Sequence, residues 1–344
     1  MKKAKFVIWN DIHLGVGNED AVLASANHIV TYMVENKLNT LVFAGDFFHS
    51  RTNQTENVLN TANKILELIH SVGIRHILIP GNHDRTSYFS YTSFLDVFSH
   101  HPGVELYTEV TNIEIEGVKV TLLPFFDDSM LVPMIEESEG GDILISHFEM
   151  QGSSHLGKTS EKTSITKTSL KKWKKTYLGH YHNTHEISRN IVHLPSLRQS
   201  SFGEDSLKGF SIIYDDLSYK IVQGVFKKFN KLTLNIDELS NEEIKELISI
   251  HRDSPDTIRF EFVGSESRLK ALDKEQFKDT GIDVKLKFEK KYSIEEVELP
   301  VLIKKFDKEQ IFLNFQQFCE EKEYSHEEGL ILLNEYFTNK DKQS

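Results

Sequence analysis

Residues 76–84 read HILIPGNHD, an apolar run that stops at Pro80 and opens into the polar segment Gly81-Asn82-His83-Asp84. A short apolar run closed by Pro and Gly is the pattern of a strand buried on both faces. The pattern occurs twice upstream. KFVIWN at 5–10 runs into Asp11-Ile12-His13, and TLVFA at 40–44 runs into Gly45-Asp46. Between the runs lie two amphipathic stretches. One places Val22, Ala26, Ile29, Val30 and Met33 on a single helical face, and the other does the same with Val58, Ala62, Ile65, Leu66, Ile69 and Val72. This βαβαβ alternation implies a largely parallel sheet covered by helices.

Further along, VKVTLLPF (118–125), DILISH (142–147), TYLGH (176–180), GFSIIYDD (209–216) and KIVQGVF (220–226) read as strands with shorter connections. They predict a second sheet packed on the first, so the fold class is α/β, a two-sheet α/β sandwich over residues 1–230. Near Lys231 the character changes. LTLNI, a helix over about 241–251, TIRFEFVG, a helix around 267–277 and VKLKFEKK predict a small α+β cap over 231–293. Residues 294–344 read as helices, with one apolar stripe of Ile311, Phe312, Phe315, Phe318 and Cys319 and another of Leu330, Leu333, Tyr336 and Phe337. Ser325 and Glu328 make a capping box before the last helix.

The chain has 344 residues, 39% of them hydrophobic and 27% charged, which is the composition of a globular protein rather than a disordered or fibrous one. A single cysteine, Cys319, excludes an intramolecular disulfide and fits a cytoplasmic setting. The apolar run at the N-terminus breaks at Asn10 and Asp11, too early for a signal peptide, and no stretch approaches membrane-spanning length. A net charge of −12 argues against coating nucleic acid by bulk attraction. Bound divalent cations would reverse that sign locally. Lys167, Lys171, Lys172, Lys174 and Lys175 form a basic run before TYLGH, and Lys227, Lys228 and Lys231 form a second. Either is a candidate contact for backbone phosphates, although a solvated face is the ordinary role of such runs. Residues 152–169 are rich in Ser, Thr and Lys and read as an exposed loop that could line a substrate path.

Five segments carry chemistry: Asp11-Ile12-His13, Gly45-Asp46, Gly81-Asn82-His83-Asp84, Ser146-His147 and Gly179-His180-Tyr181-His182. Each directly follows a predicted strand, the position at which α/β sheets gather ligands. Carboxylate, imidazole and carboxamide donors without thiolate suit divalent ions such as manganese, iron or zinc. Two aspartates and one amide cannot hold a pair of metals alone, but with the imidazoles they complete two coordination spheres. One carboxylate must then bridge, and Asp46 in its tight Gly-Asp turn is the natural candidate. Such a pair can share a hydroxide and stabilise in-line displacement at phosphorus.

D-x-H, G-D, G-N-H-D, H and G-H-x-H in this order resemble the calcineurin-like metallophosphoesterase superfamily across roughly residues 4–225. Gly45-Asp46-Phe47-Phe48-His49, Ser146-His147-Phe148-Glu149, and Leu197 to Glu204 followed by Lys208-Gly209-Phe210 are similar to the SbcD-type double-strand-break repair nucleases and the phage recombination endonuclease small subunit. The resemblance implies one manganese ion on Asp11, His13, Asp46 and His182, and a second on Asp46, Asn82, His147 and His180. It implies that His83 stands beside the scissile phosphate as acid or charge stabiliser, that Asp84 orients that ring or else caps the turn, and that His49 helps place the phosphate. It further implies 3′–5′ exonuclease activity on duplex DNA and endonuclease activity on single strands, in a bacterial or phage-infected host cytoplasm. The C-terminal helices would bind an SbcC-like SMC/ABC-type ATPase, and the catalytic domain would form a homodimer. A phosphoesterase for a small diester or monoester is the alternative, and a non-enzymatic adaptor with a vestigial metal site is a third.

Overall fold

The computed structural model describes residues 2–155, 158–160, 163–288 and the single position 315. The expected C-terminal helices and the capping box at Ser325 lie outside the described residues.

The first sheet starts as the sequence implies. Strand β1 (Ala4–Trp9), helix α1 (Glu19–Glu35), β2 (Thr40–Ala44), helix α2 (Glu56–Ser71), β3 (Arg75–Ile79) and the short β4 (Val104–Leu106) follow in order, with β1 to β4 all parallel. A second sheet is built from β5 (Thr111–Ile115), β6 (Val118–Leu123), helix α3 (Asp128–Glu137) and β7 (Gly141–Ser146). After a small hairpin of β8 (Ser154–His155) and β9 (Lys158–Thr159) the chain returns to it with β10 (Trp173–Leu178), β11 (His185–Ser188) and β12 (Ile191–His193). Its order is β11-β12-β10-β7-β6-β5, with β6, β7, β10 and β12 parallel and an antiparallel strand at each edge.

The next two strands, β13 (Gly209–Tyr214) and β14 (Tyr219–Gln223), correct the expectation for GFSIIYDD and KIVQGVF. They do not join the second sheet. They cross back to extend the first one beside β1, antiparallel, giving the order β14-β13-β1-β2-β3-β4. The reason is an open edge: β1 carries β2 on one side only, and β13 supplies the backbone partners for the other.

Alternation along the strands builds three apolar layers. In β1, Val7 and Trp9 pack with Val22, Ile29 and Met33 of α1 and Ile65 and Leu66 of α2. Phe6 and Ile8 point the other way, into a layer with Val42, Ile77, Val120, Ile143, Ile145 and Tyr177 that lies between the sheets. The outer face of the second sheet buries Leu144, Trp173 and Leu178 against Leu131 and Ile135 of α3. Two sheets of six strands with helices outside thus form the expected α/β sandwich. Both faces of the central strands are buried, which is why β1, β2 and β3 are unbroken apolar runs.

A third sheet follows: β15 (Phe229–Asn235), helix α4 (Asn241–His251), β16 (Thr257–Gly264), helix α5 (Glu266–Ala271) and β17 (Ile282–Phe288), in the order β15-β16-β17. Ser240 and Glu243 cap α4 reciprocally. The helix expected around 267–277 is shorter. It stops at Ala271, and Glu275–Phe277 forms a separate 3-10 turn that tucks Phe277 against Phe260 and Phe262.

Candidate metal centre

Because β1, β2 and β3 are parallel, as are β7 and β10, the five polar segments leave both sheets at one rim. Trp9 ends β1 just before Asp11, Ala44 ends β2 before Asp46, Ser146 ends β7 before His147, and Leu178 ends β10 before His180. The turns there are unusually tight. Of the eight non-glycine residues with positive φ among the described residues, four are Asp11 (50°), His13 (45°), Asp46 (61°) and His180 (83°). Left-handed backbone costs a non-glycine residue on the order of 1 kcal/mol or more, and such strain concentrates at functional sites. Gly45, itself at φ 91°, is required by close approach: a Cβ there would stand 2.3 Å from His147 Nδ1.

The two aspartates share one design. Asp11 Oδ2 accepts from the Asn10 side chain at 2.5 Å and from the His180 amide at 3.1 Å, and Asp46 Oδ1 accepts from the His83 amide at 2.8 Å. Each carboxylate is anchored through one oxygen and presents the other inward. Asp11 Oδ1 is buried without a hydrogen-bond partner. It lies 3.8 Å from both His13 Nε2 and His182 Nε2, and 4.0 Å from His147 Nε2. Asp46 Oδ2 is 3.6 Å from His13 Nε2 and 3.2 Å from His147 Nε2. His13 Nε2 and His182 Nε2 are 3.0 Å apart. On the other side, Asn82 Oδ1 is 3.1 Å from His147 Nε2 and 2.9 Å from His180 Nδ1.

These separations test whether cations fit. Ligands bonded to one cation at about 2.0–2.2 Å stand roughly 3–3.5 Å from one another. The spacings of the two groups fall at or slightly beyond that range, and the orphaned Asp11 oxygen has no protein donor to satisfy it. Asp11, His13, His182 and Asp46 could hold one cation, and Asp46, Asn82, His147 and His180 another, with Asp46 Oδ2 facing both.

Outer contacts fix the ligating faces of the rings. His147 Nδ1 donates to Ala44 O at 2.8 Å, and His182 Nδ1 donates to Glu204 Oε1 at 3.0 Å, leaving each Nε2 lone pair for a metal. Glu204 is itself held by Ser200 and by the buried Lys208, whose Nζ also donates to His182 O at 2.6 Å. Glu204 lies in the quoted 197–204 segment, but its role could not be seen there because its partner is twenty-two residues upstream. Burial alone would depress His147, yet Asp46 and Asp11 outweigh it and raise its pKa to about 9. Burial would likewise raise Asp46, but His147 and His13 hold it well below the usual carboxylate range. Burial lowers His13 and His180 far below ordinary imidazole values, so both present neutral rings.

His83 sits at the mouth, half-buried, its ring centroid 4.7 Å from that of His13. Its Nδ1 donates to His49 O at 2.7 Å, and its Nε2 accepts from Arg51 Nη2 at 3.0 Å. The His49 ring stands close by, 6.0 Å from His83. Asp84 does not orient His83. Its carboxylate is fully buried and accepts the backbone amides of Asp46 (3.0 Å), Phe48 (2.9 Å) and Gly81 (2.8 Å), so it ties the Gly-Asp loop to the Gly-Asn-His loop. The His49 carbonyl takes the orienting role instead, because Asp84 lies beneath the turn rather than beside the ring.

Three lysines of the basic run before TYLGH are engaged away from the site. Lys172 Nζ donates to the carbonyls of Ile135, Glu136 and Ser138 at the end of α3, Lys174 pairs with Asp142 at 2.7 Å, and Lys175 donates to Arg189 O. These lysines stand at the start of β10, whereas His180 follows its far end, so they face away from the site. Sequence proximity to Gly179 hid this, since a strand separates its two ends.

Beside Asn82 and His180 opens a cavity of about 400 Å³ lined by Arg51, Tyr88, Phe125, Asp127, Asp128, Glu149 and Thr163 among others. Thr163 belongs to the loop expected along a substrate path. Arg51, Tyr88 and Phe125 carried no signal in the sequence, as isolated aromatic and basic residues rarely do.

A family model described as calcineurin-like phosphoesterase matches residues 4–224. Among solved structures, a novel archaeal phosphodiesterase is 12% identical, with 64% of this chain and 99% of that chain covered and a TM-score of 0.34. A nuclease of Pseudomonas putida, MPE, is 13% identical, with coverages of 63% and 86% and a TM-score of 0.30. At these scores neither likeness bears on what the chain acts upon.

Proposed function

The chain belongs to the calcineurin-like phosphoesterase family, a family of metal-dependent hydrolases, and from that premise we propose that it is a manganese-dependent DNA nuclease of the SbcD type. The observation that carries the hydrolytic part is the single oxygen Asp46 Oδ2, which faces both donor groups. Manganese ions held by those groups would supply Lewis acidity toward a phosphoryl oxygen and a water of lowered pKa. The protein's own part is positional. Asp11 and Asp46 fix the depth at which a phosphate can sit, and His83 faces it from the solvent side. Its Nε2 accepts from Arg51 in this structure; once released and protonated from solvent, it is the atom from which that proton could pass to the departing oxygen, while the guanidinium remains as a charge for a nonbridging oxygen. His49 lines the same approach. Processing of DNA ends with an SbcC-like ATPase, bound through the chain after residue 294, and assembly as a homodimer complete the proposal.

A small phosphodiester or phosphomonoester is the second reading. It is favoured by Lys172, Lys174 and Lys175, which stand at the opposite end of β10 from His180 and so offer no charge beside the donor groups. No helix among the described residues is long and apolar enough to cross a membrane. The test is turnover by the full chain with manganese of linear duplex DNA, single-stranded DNA and a chromogenic phosphodiester, with Asp46→Asn as the blank. Cleavage of DNA lost in the blank is expected. Robust chromogenic turnover with every DNA substrate intact would overturn the nuclease reading in favour of the small ester.

A further inference from the structure

The cavity next to the metal centre is built for something other than a phosphate. Its back wall includes Asn82 and His180, two of the residues that could hold a cation, so a phosphate seated there would direct one of its substituents into this space. Its sides are aromatic. Phe125 lies nearly parallel to the His180 ring, 18° apart with centroids at 6.2 Å, and Tyr88 meets Phe125 edge-on at 5.0 Å. Both rings are only partly buried, so each keeps a surface for a ligand. Arg51 reaches across the opening to the Tyr88 hydroxyl and also lies over the Tyr88 ring, 5.6 Å from its centroid.

Beside Phe126, Phe148 and Thr163, the lining includes three carboxylates. Asp127 caps α3 through the Ser129 amide, Asp128 accepts from the Ser164 amide, and Glu149 accepts from the Tyr181 hydroxyl at 2.6 Å. Three carboxylates against one guanidinium repel a second phosphate. They welcome a neutral, flat group whose edge carries N–H donors. A volume of about 400 Å³ is ample for one such ring with its sugar.

We infer that this cavity is a nucleobase subsite: it takes the base of the nucleotide whose phosphate lies at the metal centre, stacking it on Phe125 with the roughly perpendicular Tyr88 ring against its side, and with the acidic rim accepting from the base edge. The inference rests on the reading of the substrate as a nucleotide diester and makes that reading specific. The subsite engages one unstacked base, so it requires a single-stranded or frayed nucleotide at the scissile position and does not accept a paired one. Stacking tolerates any base, since every base has a π-face.

Calorimetric binding of 2′-deoxyadenosine 5′-monophosphate and of 2-deoxyribose 5-phosphate to the manganese-loaded full chain isolates the base, because the two ligands differ only there. The wild type is expected to bind the nucleotide roughly five- to hundredfold more tightly than the sugar phosphate. Phe125→Ala should erase most of that margin while leaving the sugar phosphate affinity in place, and Tyr88→Ala should reduce the margin partway. Equal affinities in the wild type, or a margin that survives Phe125→Ala, would overturn the subsite. If Phe125→Ala also loses the sugar phosphate, the metal centre has been disturbed and Tyr88→Ala decides: an undiminished margin there overturns it. DNA cleavage by the same preparation separates the two ideas. A base margin without DNA cleavage keeps the subsite and removes the nuclease reading, and cleavage without a margin does the reverse.

Discussion

The two ends of the central strands are opposites. At the end where β10 begins, charge is spent on the fold: Lys172 closes the carbonyls at the end of α3, and Lys174 and Asp142 neutralise each other in solvent. At the end where β1, β2, β7 and β10 finish, charge is set against charge. Asp11 and Asp46 are both buried, Asp11 Oδ1 has no donor, and four side chains are carried on left-handed backbone. A sheet can afford polar groups that satisfy themselves at either edge. Among the buried polar atoms without a partner in the described residues, Asp11 Oδ1 alone belongs to a carboxylate, the group that most needs a cation or donor from outside the chain. That contrast, rather than any single histidine, distinguishes the functional rim from the structural one.

The largest way to break the contrast is Asp46→Asn, which removes one of the two carboxylates of the first donor group and the sole carboxylate of the second. Hydrolysis of a chromogenic phosphodiester should fall by about a thousandfold or more, with folding retained by circular dichroism. Activity within tenfold of wild type would mean that the rim is structural after all. Glu204→Gln should weaken manganese binding about ten- to hundredfold by freeing the His182 ring, and an unchanged titration would strip Glu204 of that role. Acidity should act in the same direction. Without a cation His147 keeps its proton up to about pH 9, and a metal needs the neutral ring, so loading releases that proton. Apparent manganese affinity should therefore rise with pH, by up to about tenfold per unit below pH 9, and a flat profile between pH 6.5 and 8.5 would refute it.

Chelation should lower the melting temperature by several degrees, since a cation present at about a hundred times its Kd contributes roughly 2.7 kcal/mol per site. The smallest effects belong to the other end. Lys172→Met should cost about 1 kcal/mol of stability and nothing in turnover, and Lys174→Gln less than about 1 kcal/mol, both read by urea unfolding. A loss of DNA affinity in either variant would erase the distinction between the ends.

The donor set was legible in the sequence because two local signals coincide at each segment: a doubly buried strand, and a ligating residue within three positions of its end. What could not be read is nonlocal. Whether GFSIIYDD joined one sheet or the other depends on which edge lacks a partner, and that edge is two hundred residues away. Asp84 offered a carboxylate beside His83, and the sequence cannot say whether it points along the loop or beneath it. The lysines before TYLGH were close to Gly179 in number, but six strand residues put them at the opposite end of the sheet. Arg51 and Phe125 have no periodicity or spacing to mark them, and they matter only through the space they enclose.

The Asp84 carboxylate has one more consequence. By gripping the amides of Asp46, Phe48 and Gly81 it locks two loops to each other through the protein alone, so the gauge between the donor groups is set before any ion arrives. A frame of fixed gauge sorts its guests by radius. Calcium, whose bonds to oxygen are about 2.3–2.6 Å, would have to spread the loops against that clasp, whereas an ion with bonds near 2.1 Å enters without moving it. Loosening the clasp with Asp84→Asn should therefore broaden the range of metals the protein accepts before it lowers the affinity for any one of them.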